Sequence, residues 1–273
     1  MAIKKKAPKP KTNKDLKAFY DGVYAGGESK HYTKLLFADT KVTLEKIGIL
    51  DELNWKGKTV LDVGCGTGEL AYHIAGRGAK KVVGIDFSPE AIKVAKHLYN
   101  RPNLSFDCVD VHAMKGSFDV VLAVGTLEHA DDPFRMLSLF KKLVRKGGSI
   151  IVTSPNWLNP RGYILMTLRL LFDAPITLAD LHYLTPVEYE AWATRLGMEL
   201  SWKTIDQSWS LGNRLLQDLE RRIPNVLCDA GLPRDPARIQ KFIRWVEEHI
   251  VTVEREQPHT GATGLYHFKK AAR

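Results

Sequence analysis

The feature that most constrains this chain is a short apolar segment that runs directly into three alternating glycines. Residues 59–63 are mostly aliphatic, and Gly64, Gly66 and Gly68 follow them. Aliphatic and β-branched runs of this length favour a strand. Glycine has no Cβ and tolerates positive φ, so the chain can bend sharply after the strand and present backbone N–H groups to a ligand. For the glycines alone, the alternative is an ordinary turn.

A second apolar segment supplies the context that favours a ligand site. Residues 81–86 end in Asp86, which lies 18 residues after Gly68. A βαβ unit that binds a nucleotide has, at about this interval, the carboxylate that accepts the ribose hydroxyls. A pyrophosphate-binding loop would need a glycine where Glu69 stands. The spacing therefore disfavours a dinucleotide.

The loop reads Asp62-x-Gly-x-Gly-x-Gly, which resembles the first motif of the class I S-adenosylmethionine-dependent methyltransferases. Four later segments resemble the second to fourth motifs and the fifth strand of that family, in the same order. They are residues 84–92, 106–110, 118–129 and 143–155. The resemblance implies a Rossmann-like α/β fold, with a seven-stranded, mostly parallel sheet and helices on both faces.

The resemblance also implies how the cofactor S-adenosylmethionine would be held. Asp62 would lie near its ammonium, since a carboxylate pairs with a cation. Asp86 would bind the ribose hydroxyls and Phe87 would pack on adenine. The expected contacts with the methionine end are Gly64, Cys65, Gly66 and Gly68. Asp110 and Val111 are the expected contacts with the adenine. Val124 and Gly125 are the expected contacts near the sulfonium. A turn role for Asp110 and a core role for Phe87 are the alternatives.

The N-terminal region adds aromatic candidates for the same site. Helices are predicted over about 15–24 and 33–47. Related enzymes often carry an aromatic-rich segment here that folds over the cofactor, so Tyr20, Tyr24 and Tyr32 are candidates for a helical lid within residues 15–54. Aromatic residues that anchor a helix to the core would show the same pattern.

Composition is that of an ordinary globular chain, with 44% hydrophobic and 26% charged residues. No segment reaches the ~18 uninterrupted apolar residues of a membrane span. The lysine-rich N-terminus lacks the apolar core of a secretory signal. Cys65, Cys108 and Cys228 form neither a pairing set nor a metal spacing. We therefore expect a cytoplasmic protein with reduced thiols and no transmembrane segment.

The net charge of +9 is concentrated at the N-terminus, because six lysines precede the first acidic residue, Asp15. Residues 1–14 are therefore predicted to form a flexible basic tail. Such a tail could be a solubilising arm, or it could bind RNA or an anionic surface. No RNA-recognition signature follows it, so nucleic acid is not the favoured partner.

The C-terminal half departs from the expected strand spacing. A sixth strand is predicted at about 197–202, which completes a core over 55–206, but the next strand-like run lies within 263–273. The intervening residues, 207–262, contain two segments with apolar residues at helical spacing. We expect this insertion and residues 156–175 to form a helical cap over the carboxyl ends of the strands, where open α/β sheets bind ligands.

Two histidines are candidates for proton transfer. His129 follows the fourth predicted strand and His182 follows the fifth. A neutral imidazole near its pKa suits a base at pH 7, although either histidine could simply hydrogen-bond a loop. Some relatives carry Glu-x-x-Glu-His here and bind a metal. This chain keeps Glu128 and His129 but has Gly125 at the earlier position, so we predict no metal site.

These observations predict a transferase that moves a methyl group from S-adenosylmethionine to an oxygen or nitrogen of a small or medium-sized, partly apolar acceptor. One alternative is an RNA methyltransferase. The phosphate contacts would then come from Arg221, Arg222, Arg238, Lys241 and Arg244. The other alternative is a scaffold that binds the cofactor without catalysis.

Overall fold

The computed structural model describes residues 43–177, 179–206, 212–251 and 261–272. The basic tail and the lid candidates Tyr20, Tyr24 and Tyr32 lie outside these residues. Within them, no helix is long and apolar enough to cross a membrane.

Seven strands form one sheet in the order β3-β2-β1-β4-β5-β7-β6. Only β7 runs antiparallel to its neighbours, β5 and β6. The strands are β1 (Thr59–Val63), β2 (Lys81–Asp86), β3 (Leu104–Cys108), β4 (Phe118–Val124), β5 (Val144–Pro155), β6 (Glu199–Ile205) and β7 (Thr263–Lys269). The strand order reverses direction at β1 and β4, so their carboxyl ends form the edge at which such sheets bind ligands.

Eight α-helices connect these strands within the described ranges. They are α1 (Leu44–Leu50), α2 (Glu69–Gly76), α3 (Pro89–Leu98), α4 (Pro133–Leu143), α5 (Pro160–Phe172), α6 (Pro186–Leu196), α7 (Gly212–Asp229) and α8 (Pro236–Val246). Local sequence explains most of their starts. Five helices begin with proline directly after a capping side chain: Ser88, Asp132, Asn159, Thr185 and Asp235. Proline at the first position needs no N–H partner, and the preceding oxygen satisfies a free backbone N–H.

Two apolar clusters cover the two faces of the sheet. Along β1, Leu61 and Val63 belong to one cluster and Val60 to the other, because successive strand residues point to opposite faces. Residues of α4 and α6 complete the first cluster, and residues of α1, α2 and α3 complete the second. The expected α/β architecture, with helices on both faces, is therefore confirmed.

One helix prediction was wrong in its bounds. The helix expected over 33–47 does not continue through Thr43, whose backbone is extended (φ −67°, ψ 154°) and whose side chain caps α1. The helix instead runs on to Leu50, since Ile49 and Leu50 are buried against the sheet. Residues 33–42 lie outside the described residues.

The insertion between β6 and β7 contains α7 and α8, as the apolar spacing predicted. Their buried side chains form a cluster of their own with Ile164 of α5. Buried Asp218 of α7 accepts a hydrogen bond of 2.8 Å from Arg161 of α5 and pairs with Arg222 one helical turn away. The two helices therefore pack on α5, the helix that directly follows the carboxyl end of β5.

Candidate active site

The glycine loop after β1 requires its glycines for backbone conformation and for space. Gly64, Gly66 and Gly68 have φ values of 70°, 53° and 84°, a region that other residues rarely adopt. A Cβ on Gly64 would lie 2.7 Å from Thr126 Oγ1, and one on Gly68 would lie 2.5 Å from Phe106. The loop is thus bare backbone that is tightly packed from behind.

Asp86, at the end of β2, holds this loop in place. One carboxylate oxygen accepts a hydrogen bond of 3.0 Å from the Gly66 N–H, and the other accepts one of 2.8 Å from the Ser88 N–H. The N–H groups of Gly64 and Cys65 donate to the Ile85 carbonyl at 2.9 and 3.0 Å. The ends of β1 and β2 are therefore joined at the position where the sequence predicted a ribose contact.

Asp62 is a buried carboxyl beneath the loop, with 2% of its surface exposed. Burial raises its pKa to about 7, and the nearby Asp86 charge adds to this effect. The charge of Lys46 of α1 opposes both effects, and Lys46 also forms an ion pair with Glu69 at the start of α2. A cation bound near Asp62 would therefore favour its ionised form.

The expected adenine contacts lie at the ends of β2 and β3. The Phe87 side chain is 38% exposed, so this aromatic ring is not buried in the core. Asp110 is exposed and accepts hydrogen bonds from the His112 backbone N–H (2.7 Å) and ring Nδ1 (2.6 Å). Its slight burial opposes ionisation, but these hydrogen bonds outweigh it and lower the Asp110 pKa. Val111 next to it is buried.

Val124 and Gly125 stand at the carboxyl end of β4, beside the glycine loop. Gly125 has φ 57°, and its N–H donates to Thr153 Oγ1 of β5 at 3.2 Å. Thr126 Oγ1 donates to the Val63 carbonyl at 3.3 Å. These bonds connect β4 to the strands on either side of it.

Glu45 of α1 joins this group. The Thr153 hydroxyl donates to Glu45 Oε1 at 3.0 Å, and burial raises the Glu45 pKa. Sequence analysis missed Glu45, Lys46 and Thr153 as members of the site. Glu45 and Lys46 belong to no motif, and Thr153 lies within the family-like segment 143–155 but was not expected to contact a ligand. Only the packing of α1 across the strand ends brings Glu45 and Lys46 to the site.

Both predicted histidines lie at this edge and hold the same loop. His129 Nδ1 is 3.2 Å from the Ala179 carbonyl, and His182 Nε2 is 2.9 Å from the Ala130 carbonyl. A carbonyl only accepts, so these nitrogens carry the protons. In the neutral rings, the basic nitrogens are then Nε2 of His129 and Nδ1 of His182. Burial lowers the His129 pKa although Asp180, 3.7 Å away, acts to raise it.

Glu128, half of the incomplete metal motif, is a buried carboxyl with 3% exposure. Its Oε2 has no hydrogen-bond partner among the described residues. Within the same residues, no three histidine, cysteine or acidic side chains are arranged to hold a metal ion. The absence of a metal requirement stays a prediction.

Every predicted site residue within the described ranges except His182 lies at the carboxyl ends of β1–β4 or in the loops that follow them, and His182 lies between α5 and α6. Tyr24 lies outside those ranges. The site thus combines a bare backbone loop, two acids beneath it, an exposed aromatic ring and two histidines. This arrangement suits a ligand with hydroxyl and cationic groups.

A family model described as "Methyltransferase domain" matches residues 54–195, just over half of the chain. Among curated proteins, the chain is 32% identical over 154 residues to the ubiquinone biosynthesis O-methyltransferase of Pseudomonas paraeruginosa. This match covers 53% of the present chain and 66% of the relative, which is just under two thirds of the relative's length.

Two solved structures show the same fold at low identity. A complex of the Haloferax volcanii Trm112 methyltransferase activator with a methyltransferase gives a TM-score of 0.62 at 16% identity, over 92% of this chain and 97% of the other. The [4+2]-cyclase SpnF gives 0.60 at 17% identity, over 97% and 98%. Because one of these structures is named as a cyclase, the fold alone does not assign methyl transfer.

Proposed function

Because the chain belongs to the methyltransferase-domain family, we propose that it binds S-adenosylmethionine and transfers its methyl group to a hydroxyl of a small, partly apolar molecule. The observation that carries the proposal is the junction of the glycine loop with Asp86. The name of the similar Pseudomonas protein, an O-methyltransferase, favours oxygen over nitrogen as the acceptor atom.

The residues present fit this cofactor. The glycine loop leaves room against its backbone, since none of its three glycines carries a side chain. Asp62 has a raised pKa, and among the described residues Lys46 is the cation that acts to lower it, so an ammonium would further stabilise its charge. Asp86 and Asp110 are acceptors for the ribose hydroxyls and the adenine amino group, and Phe87 offers an exposed ring face.

The cofactor supplies a methyl group already activated by its sulfonium. The protein must hold the acceptor atom in line with it, an effect worth about 7–11 kcal/mol by itself. It must also take up the hydroxyl proton. We assign this role to His129, whose lowered pKa keeps the ring neutral at pH 7 and whose Nδ1–H is fixed on Ala179. Asp180 would stabilise the imidazolium that forms. His182 is the second candidate.

The helical unit formed by α5, α7 and α8 is proposed to bind the apolar part of the acceptor. It enters the fold at the same edge as the glycine loop, because α5 follows β5 and the insertion joins β6 to β7. Asn156 connects the two entry points by donating to the Gly261 carbonyl at 2.7 Å. Every proposed cofactor contact lies before α5 in the chain, so this unit is free to set acceptor specificity.

An RNA substrate is less well supported. Of the five basic residues that would contact phosphates, Arg221 and Arg222 pair with Asp218, and Arg238 pairs with Asp235. RNA affinity that falls steeply with added salt would support that alternative, since phosphate binding releases counterions.

Calorimetry with S-adenosylmethionine tests the proposal, with NAD as the matched control because Glu69 replaces the glycine of a dinucleotide loop. We expect saturable binding of the first ligand only. A methyl-donor consumption screen over phenolic and other hydroxylated metabolites then identifies the acceptor. Failure to bind S-adenosylmethionine, or preferential binding of NAD, would overturn the proposal.

A further inference from the structure

Glu128 carries a buried polar atom that no described residue satisfies. Its side chain is 3% exposed, and its Oε2 has no hydrogen-bond partner among the described residues. A buried carboxyl without a partner destabilises the folded protein. Buried groups of this kind call for an explanation, such as a ligand that supplies the missing partner.

The position of this carboxyl points to the proposed cofactor site. A Cβ on Gly125 would lie 3.7 Å from Glu128 Oε1, so the side chain folds back toward the end of β4. Gly125 precedes Thr126, whose hydroxyl contacts the Val63 carbonyl and whose side chain packs against Gly64. The Glu128 carboxyl therefore lies next to the contact between the carboxyl end of β4 and the glycine loop.

The groups around Glu128 are mainly acidic. Burial is the largest cause of the raised pKa of Glu128. The charges of Asp180, in the segment after α5, and of Glu45 in α1 raise this pKa further. The Tyr189 hydroxyl of α6 is close enough for the Glu128 charge to act on it and raise the Tyr189 pKa further, after burial as the largest cause. His129, one residue on, has a lowered pKa and is neutral at pH 7. A bound cation would relieve this excess of acidic groups.

We propose that Glu128 recognises the positive charge of the sulfonium, so that the site binds the methyl donor in preference to its neutral thioether product. This inference rests on the proposed function, since it needs S-adenosylmethionine at the glycine loop. It assigns different tasks to two buried acids. Asp62 faces the ammonium, which donor and product share, whereas Glu128 responds to the sulfonium, which only the donor has.

Binding of the sulfonium beside Glu128 should release a proton. Because burial and the neighbouring acids favour the protonated form of Glu128, a cation beside it shifts the carboxyl toward ionisation and releases a proton to solvent. The donor should therefore bind with release of more protons than the product does. Donor preference should also rise with pH as Glu128 ionises. After methyl transfer the sulfonium charge is gone, and the product leaves more readily.

Calorimetric titration of the full chain with S-adenosylmethionine and with S-adenosylhomocysteine tests this assignment. We expect Glu128→Gln, which keeps the shape of the side chain, to reduce the ratio of donor to product affinity about tenfold. Asp62→Asn is the matched control, since it should weaken both ligands by similar factors. Titrations of the wild-type protein in two buffers of different ionisation enthalpy measure the protons released with each ligand.

An unchanged affinity ratio in a folded Glu128→Gln variant would overturn the inference. Equal proton release with donor and product in the wild type would do the same without any variant. If both ligands bind but the affinity ratio and the proton release show no such difference, the inference fails while the proposed function stands. Failure of the wild type to bind either ligand would overturn the proposed function, and the inference with it.

Discussion

The strand ends around β1–β4 and the helical insertion of α7 and α8 are stabilised in different ways. At the strand ends, backbone N–H groups, positive-φ glycines and Asp86 define a shape that other residue types could not make. In the insertion, apolar side chains of many kinds would serve, and the specific element is one buried acid, Asp218, between arginines. The first region is therefore built for a particular ligand chemistry, and the second for packing that can vary with the acceptor.

The largest effect expected from this contrast is at the glycine loop. Gly66→Val should abolish S-adenosylmethionine binding, because a branched side chain would occupy the proposed methionine position. Gly197→Val is the matched control, since Gly197 has nearly the same φ, 58° against 53°, but lies at the end of α6 with open space around it. Calorimetry on both variants checks this. Equal loss of binding in the control would show that backbone strain alone is responsible.

A substitution in the insertion should change the stability of the protein but not its affinity for the cofactor. Asp218→Ala removes the buried carboxylate of this ion-pair cluster and leaves the partly buried Arg161 and Arg222 without it. Breaking a buried ion pair typically costs about 3–5 kcal/mol. Asp51→Ala, which removes the exposed pair with Arg77, should cost less than about 1 kcal/mol. Urea unfolding measures both free energies. Weakened S-adenosylmethionine binding in folded Asp218→Ala would break the distinction between the two regions.

Stability should also depend on pH through Asp218. Its burial opposes ionisation, but Arg161 and Arg222 outweigh this and lower its pKa. A lowered folded-state pKa gives stability that is present above the unfolded value, about 3.9, and is lost as pH falls through the folded value. The difference in unfolding free energy between wild type and Asp218→Ala should therefore shrink below about pH 4. A difference that grows in acid would contradict the ion-pair account.

A smaller effect is expected at Asp86. Asp86→Ala should weaken S-adenosylmethionine binding by about 1.5–3 kcal/mol, the range for hydrogen bonds to a charged group, and should also release the Gly66 N–H. Asp107→Ala, which removes an exposed acid from the neighbouring strand β3, is the control for net charge. Calorimetry that finds the two variants alike would remove Asp86 from the site.

These contrasts also explain what could be predicted from the sequence. The glycine loop, the position of Asp86 and the seven-stranded, mostly parallel sheet were predictable, because the loop chemistry limits the residue type and the spacing and the order of the motifs resembles that of the family. Glu45 and Thr153 were not, since their contact joins residues 108 positions apart and depends on how α1 crosses the sheet. The helices of the insertion were predicted from apolar periodicity. The partner of Asp218 was not, because Arg161 lies 57 residues away on another element.

The smallest effect expected is that of metal removal. Gly125 occupies the position of a metal-ligating glutamate in some relatives, so cofactor binding and turnover should both survive exhaustive chelation. The check is to repeat both assays after dialysis against EDTA. Activity that is lost and then restored by a single divalent metal would contradict the prediction and return Glu128 and His129 to a metal site.

Hydrogen–deuterium exchange of the full chain, with and without S-adenosylmethionine, locates the bound cofactor. In the presence of the ligand, we expect slower exchange for peptides that contain Gly64–Gly68, Asp86–Ser88 and Val124–Thr126, and no change in α7 and α8. Protection confined to the insertion, or no protection at the glycine loop at a saturating ligand concentration, would overturn the proposed cofactor site.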